Sequence, residues 1–473
     1  MAEIPLTVTE AACLLRAGSV TSVELTQAAI ARADALDGSV GVYICRFDEQ
    51  ALRSAQRADA ELADGHDRGP LHGIPFGVKD IIACADGPTT AQSSILDPAW
   101  GGGKDAPVVR RLRTAGAVIT GKTSTMEFAC GLPDAAKPFP VPRNPWNLAT
   151  WAGGSSSGTG SGVSVGMFHA GLGTDTAGSI RIPAAYCGVT GLMPTYGLVP
   201  KSGVVPLGYS LDRVGPLARS AQDCAAVLQA IAGFHPSDPA SVDRGAPDFG
   251  QALTGDLAGM RLGVVRENHF PEGADPALAP RFDEAVAILT AAGASVVEIT
   301  LPYWTEMIAA DIVTMASEAL AYHRADAHRW SEYAALTRTI LARGALITGA
   351  DYVQAQRVRR VAQLALAETF TGLDAVLCPT IASGAPKLEE VLGGDPAFAD
   401  ALFAQIFTPY WDAAGNPVLA APMGFTADGL PLSFQIAGRP FDESTVLRIG
   451  AAYQSKTDYH LQLPQLVTEE VVP

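Results

Sequence analysis

Nothing in this sequence approaches the roughly eighteen uncharged apolar residues that a membrane helix needs. No membrane partner is therefore expected. The opening stretch, MAEIPLTVTEAACLLRAGSV, has no basic segment and no compact apolar segment ending in a small-residue cleavage site, so no secretory signal is read. The seven cysteines are odd in number, scattered, and never spaced as CxxC. That excludes a disulfide framework and points to a reduced, cytoplasmic protein. The eight histidines form neither HExxH nor a Cys/His zinc pattern, and His323 and His328 fall off the i, i+4 face of a helix. No metal and no cofactor is expected. Lys and Arg number 33 against 49 Asp and Glu, for a net charge of −16. Without clustered cations a nucleic-acid surface is disfavoured, and the expected partner is a small molecule.

What is present is a chain of 473 residues, 48% hydrophobic, with Gly at 48 positions. That length buries a large core. Thr7-x-x-Glu10 and Thr21-x-x-Glu24 match the capping-box pattern ahead of apolar residues at helical spacing. Gly18 and Gly38 sit where those helices would stop, and 49–63 reads as an Ala-rich amphipathic helix. The segment GPLHGIPFGVKDII, from residue 69, reads as a short buried strand between Pro/Gly punctuation. Helix, glycine, strand recurs at 106–120 and at 276–299, where Asp275 is the expected N-cap and Pro276 the first helical residue. Residues 303–370 read as helical, strand-like runs resume at 372, and a last helix is expected near 443–454. Such alternation predicts an α/β layered fold. No internal repeat and no composition break marks a domain boundary.

Residues 150–216 combine dense Gly, Ser and Thr with interleaved Val, Ile, Leu and Met. A flexible linker lacks that apolar content, so close-packed backbone is expected. Consecutive N–H groups in Thr176-Ala177-Gly178-Ser179 could converge on one oxygen, with Asp175 and Arg181 bracing the turn. Composition alone leaves such serines as caps or solvated turns. Two GxSxG matches, around Ser156 and Ser164, are chance products of the same composition, and a poor strand precedes Ser156. Lys79 stands inside an apolar run, where it is either paired with a carboxylate such as Asp80 or buried with its pKa lowered by desolvation.

Three blocks in order resemble the amidase signature family. They are GPLHGIPFGVKD at 69–80, GGSSSGTGSGVSVGMFHAGLGTDTAGSIRIPAAYCGVTGLMPT at 153–195, and a tail with Ala414-Gly415-Asn416-Pro417, Pro422, Gly424, Gly429, Pro431, Gln435 and Gly438-Arg439-Pro440. The resemblance covers nearly the whole chain. It implies one α/β/α domain over 1–473, built on a large mixed twisted β-sheet covered by helices. Within it would lie N-terminal helices at about 7–64, a signature core at about 69–220 and a helical substrate-side region at about 303–370. By position it implies Ser179 as nucleophile, Ser155 on a cis peptide bond as proton bridge, and Lys79 as general base. Ser155 and Ser179 are 24 residues apart, as in the family. The implied oxyanion hole is the backbone N–H of Thr176, Ala177, Gly178 and Ser179, supported by Ser156, Asp175 and Arg181. Three positions depart from the common pattern: Ser157 and Ala177 replace glycines, and Ala152 stands where Pro or Gly is usual. A positive φ at Ala177 would be strained.

The expected activity is cleavage of C–N bonds in small carboxamides, anilides or carbamates, of aryl acylamidase or urethanase kind, by a monomer or homodimer. The alternative within the family is the glutamine-hydrolysing subunit of a tRNA-dependent amidotransferase. A silent binding protein is disfavoured by the joint retention of Lys79, Ser155 and Ser179. Pocket walls are expected from 303–350, from 404–412 and from near Trp151 and Met126. Tyr303, Trp304, Tyr322, Phe407, Tyr410 and Trp411 would make an aryl site there, or simply pack the core.

Overall fold

In a computed structural model of the chain, residues 6–251 and 253–470 are described, the side chains of 468–470 excepted. The frame is an eleven-stranded mixed sheet. In chain order its strands are β1 (Tyr43–Arg46), β2 (Pro75–Lys79), β3 (Val118–Thr123), then, after a small hairpin of β4 (Arg143–Asn144) and β5 (Asn147–Trp151), β6 (Ala170–Asp175), β7 (Thr190–Met193), β8 (Arg213–Ala218), β9 (Arg261–Val265), β10 (Ser295–Ile299), β11 (Ala375–Pro379), β12 (Val418–Phe425) and β13 (Pro431–Gly438). Their spatial order is β1-β3-β2-β6-β8-β7-β12-β13-β11-β9-β10. β2 runs parallel to both β3 and β6, and β9 runs parallel to both β10 and β11. The remaining pairings are antiparallel. Helices cover the sheet, so the α/β class and the mixed sheet stand as expected.

The central strands are buried along their whole length. Buried on both faces, they show no polar/apolar alternation, and the polar residues they carry, such as Lys79 and Asp175, are buried as well. Because β2 and β6 are parallel neighbours, Lys79 and Asp175, their last residues, come out at the same edge of the sheet. Loops leaving the carboxyl ends of parallel strands are where such sheets place ligands.

Local signals hold with instructive shifts. The capping box is complete at Thr21 and Glu24, whereas Glu10 caps the N–H of Leu6 while Thr7 caps that of Glu10. Gly38 lies inside the helix Ser22–Val40, which ends three residues later at Gly41 with φ 74°. Asp275 caps Ala277 N–H at 2.8 Å, but the helix proper starts at Leu278. The expected last helix is found at Glu443–Gln454.

The Gly/Ser block forms a buried helix, Ser157–Val165, pressed between the sheet and the following helix Arg181–Cys187. Close approach is the reason for its composition. A Cβ at Gly158 would meet the Val42 carbonyl oxygen and stand 2.6 Å from Ser124 N, both backbone atoms that cannot swing away. Gly158→Ala is therefore expected to lower stability by about 1–3 kcal/mol through overpacking. A fall in the urea midpoint at unchanged m-value would show it, and an unaltered midpoint would remove the argument.

Candidate active site

Lys79 ends a fully buried strand and has no exposure to solvent. Its Nζ is hydrogen-bonded to Ser155 Oγ at 2.7 Å and to Thr174 Oγ1 at 2.8 Å. No carboxylate pairs with it among the described residues: Asp80 is taken by Lys122, at 3.0 Å, in an ion pair that is likewise buried. Burial pushes the Lys79 amine down from 10.5 to about 7, against the opposing charges of Asp175 and Asp212. The sequence leaves pairing and desolvation open, and the structure selects desolvation.

The Gly154–Ser155 peptide bond is cis. Ser156 anchors this turn to β6 and to the next loop. Its Oγ meets the carbonyl and N–H of Thr174, each at 3.2 Å, and its own N–H donates to the carbonyl of Ser179 at 3.1 Å. Ser155 and Ser179 line one cavity of about 350 Å³. Among the described residues no hydrogen bond joins their hydroxyls.

The loop 176–180 is held by charge. Asp175 accepts from the N–H groups of Gly178, Ile180 (3.2 Å) and Arg181 (3.4 Å). Gly178 N–H is thus bound to Asp175, which differs from the expectation that it faces an oxyanion. The N–H groups of Thr176, Ala177 and Ser179 make no hydrogen bond among the described residues. The left-handed position falls on Gly178, at φ 128°, and not on Ala177, so the strain expected of a left-handed Ala177 does not arise. A Cβ at Gly178 would collide with Thr408, whose Oγ1 donates to the Ala177 carbonyl at 2.6 Å. Ser157, the other departure, donates its hydroxyl to the Gly153 carbonyl.

Behind the loop lies a buried network. Arg181 Nε reaches Asp175 at 3.0 Å, its Nη1 reaches Gln435 Oε1 at 2.8 Å and the Thr408 carbonyl at 3.0 Å, and its Nη2 also contacts Asp412. Arg213 meets the other oxygen of Asp412 at 3.1 Å. Burial raises the Asp175 carboxyl, but the Arg181 charge and the N–H donors together bring it below its ordinary value. Asp212, buried at the end of the loop 207–212, accepts from Thr176 Oγ1 at 2.6 Å. Sequence reasoning does not single out Thr174, Asp212, Thr408 or Asp412. Nothing local marks them, since the site partners that give them meaning lie 36 to 231 positions away.

The cavity walls come from the helices Trp304–His323, Ala335–Leu346 and Pro396–Ala404, together with Trp151. The first two fall in 303–350, as expected. The expected aromatic site is not realised: Trp304 stacks on Tyr410, centroids 5.4 Å apart, and Trp411 is fully buried against Tyr410. Tyr303 is exposed, and Met126 packs against Trp151 in a core cluster. Aliphatic side chains such as Ile308, Ile312, Met315 and Ile340 line the cavity instead. No group of three or more metal-ligating side chains occurs among the described residues, and no helix among them is long and apolar enough to cross a membrane.

The amidase family model matches residues 24–447. A glutamyl-tRNA(Gln) amidotransferase subunit of Chloroflexus aurantiacus is 38% identical over 490 aligned residues, covering 98% of this chain and 99% of that protein. An amidase of Pseudomonas putida is also 38% identical, with 98% of each chain covered. The peptide amidase of Stenotrophomonas maltophilia superposes with a TM-score of 0.80 at 31% identity, over 96% of this chain and 98% of the other. These findings correct one expectation. A chain needing only a small amide or carbamate, as monomer or homodimer and without protein or nucleic-acid partners, is not supported, because several full-length relatives carry the name of an amidotransferase subunit.

Two outcomes are expected from this geometry. If neutral Lys79 is the working form, kcat/KM rises as pH climbs through about 7 and then levels. A profile falling steadily from about pH 6 to 9 would contradict it. Arg181→Met takes the only ion-pair partner among the described residues from the buried Asp175 and leaves Asp412 with Arg213 alone, and should cost about 3–5 kcal/mol of stability, read from urea unfolding. A loss below about 1 kcal/mol would show the network to be dispensable.

Proposed function

The chain belongs to the amidase family, and on that premise we propose that it hydrolyses the C–N bond of an amide through an acyl-enzyme on Ser179. The observation that carries this reading is the buried Lys79 amine, unpaired with any acid and hydrogen-bonded to Ser155 in the cavity that holds Ser179. Neutral Lys79 takes the proton of Ser155, which takes that of Ser179 as the Ser179 Oγ attacks the carbonyl carbon. The Ser155–Ser179 bond closes as substrate seats, since catalytic hydrogen bonds often tighten only then. The developing oxyanion is received by the open N–H groups of Thr176, Ala177 and Ser179. The proton returns along the same chain to the departing amine. Water, deprotonated by the same route, then releases the carboxylic acid. Asp175, Arg181 and Ser156 hold the loop and turn in place.

Two amides compete as substrate. The names of the full-length relatives weigh toward glutamine, with the chain as the glutamine-hydrolysing subunit of a tRNA-dependent amidotransferase. This reading has the broader support among relatives. The lining of the cavity weighs toward an apolar carboxamide, anilide or carbamate. Glutamine presents an α-ammonium, which the unpaired Asp311 in the lining suits, and an α-carboxylate, which needs a free cation. The one lining cation among the described residues, Arg343, is already paired with Asp400 at 2.8 Å.

The purified chain should release p-nitroaniline from p-nitroacetanilide, and Ser179→Ala should abolish turnover with an unchanged circular dichroism spectrum. Glutaminase activity that appears only on adding the other subunits, with no anilide cleavage, would decide for glutamine. Turnover retained in Ser179→Ala would sink the acyl-enzyme altogether.

A further inference from the structure

Asp311 lies on the helix Trp304–His323 and lines the cavity that holds Ser155 and Ser179. It is fully buried, and neither carboxyl oxygen has a hydrogen-bond partner among the described residues. Its companions on the same helix are apolar: Ile308, Ile312 and Met315. Buried carboxyls are ordinarily hydrogen-bonded or paired. The other buried acids around the site obey that rule, Asp175 and Asp412 with Arg181, Asp212 with Thr176. Burial, reinforced by the charge of Asp412, raises Asp311 well above the ordinary carboxylate value, and Arg359, Arg213 and Arg181 oppose this from a distance without a hydrogen bond to it. In its protonated form the carboxyl offers one donor and further acceptor capacity, and the protein uses neither among the described residues. The proposed route of C–N cleavage makes no use of it.

We propose that Asp311 is the polar specificity residue of this cavity, hydrogen-bonding a hydroxyl or amine carried on the otherwise apolar part of the amide that seats there. The assignment rests on the hydrolase reading of Ser179. The chemistry is complementary on both sides. A largely apolar wall selects a hydrocarbon body, and an unpaired hydrogen-bonding group at a fixed point on that wall selects where the body is substituted. A site with a buried polar group rejects an analogue that leaves the group unpaired far more strongly than one that merely lacks a methylene. A role confined to folding predicts the reverse pattern. An unpaired buried carboxyl adds nothing to stability, so replacing it by an apolar side chain of similar size is neutral or stabilising.

The test uses the full chain and two matched substrate series. The first compares p-nitroanilides of straight-chain acids with those of their terminally hydroxylated counterparts. The second compares acetamides of benzylamine with those of its ring-hydroxylated analogues. In one series the wild type should favour a hydroxylated member by at least about 10-fold in kcat/KM. Asp311→Leu should erase that ratio without lowering the melting temperature, and Asp311→Asn, which keeps a donor and an acceptor, should retain most of it. A ratio unmoved by Asp311→Leu in both series overturns the assignment and leaves the hydrolase reading intact. If the wild type cleaves neither series, the hydrolase reading toward such amides falls, and this assignment falls with it.

Discussion

Arg181 engages all five of its guanidinium N–H donors inside the protein. Two go to Asp175 at the end of β6, one to Asp412, one to Gln435 on β13 and one to the Thr408 carbonyl. These partners belong to segments more than two hundred residues apart in the chain, yet β6 and β13 lie in one sheet with β8, β7 and β12 between them. A guanidinium taken out of water is costly unless every donor is met. The loop 176–180 therefore has little freedom: Asp175 binds both the cation behind it and the N–H groups of Gly178 and Ile180 in front. Once Gly178 N–H is captured this way, the chain must pass through φ 128° at that residue, and only a glycine clears Thr408. The open amides of Thr176, Ala177 and Ser179 are a consequence of that arrest.

This network also separates what the sequence discloses from what it withholds. Lys79, Ser155 and Ser179 lie in two ordered blocks along the chain and are brought together at the carboxyl edge of β2 and β6. Parallel pairing of those two strands, with Ser156 tying the Ser155 turn to β6, does this, and of the two strands only β2 is readable in the sequence as a buried apolar run. Asp412 and Thr408 are different. They sit in PYWDAAG and IFTP, where an aromatic pair is the conspicuous feature, and the partner that gives Asp412 meaning arrives through sheet order that no local pattern encodes. The aromatics mislead for the same reason. Trp304, Tyr410 and Trp411 carry large apolar surfaces and bury them against one another, leaving Trp151 and Phe403 as the aromatics of the cavity wall. Helix ends slip by a few residues wherever tertiary packing overrides the local cap, as at Gly38 and Asp275.

On the proposed mechanism a lysine serves in place of a histidine, which is a problem of balance, and the same carboxylates that shape the loop bear on it. Burial without relief drives a lysine to the low end of its documented range, about 5–6. An amine that weakly basic would be neutral but a poor proton acceptor. Asp175 and Asp212 both push the other way, and the outcome for Lys79 is about 7. Neither acid touches the amine; Thr174 and Ser155 fill those positions. Distance matters here. A contacting carboxylate would hold the ammonium form of Lys79, and the neighbouring Asp80 instead contacts Lys122 at 3.0 Å, one strand away. Asp175 in turn fixes Gly178, and Asp212 fixes Thr176 through its hydroxyl. On the proposed mechanism, one pair of acids thus sets the strength of the base and the direction of the amides that receive the oxyanion. On that mechanism the two halves of the chemistry cannot drift apart in sequence without a cost to both, and this coupling makes a lysine workable where the described lining holds no imidazole.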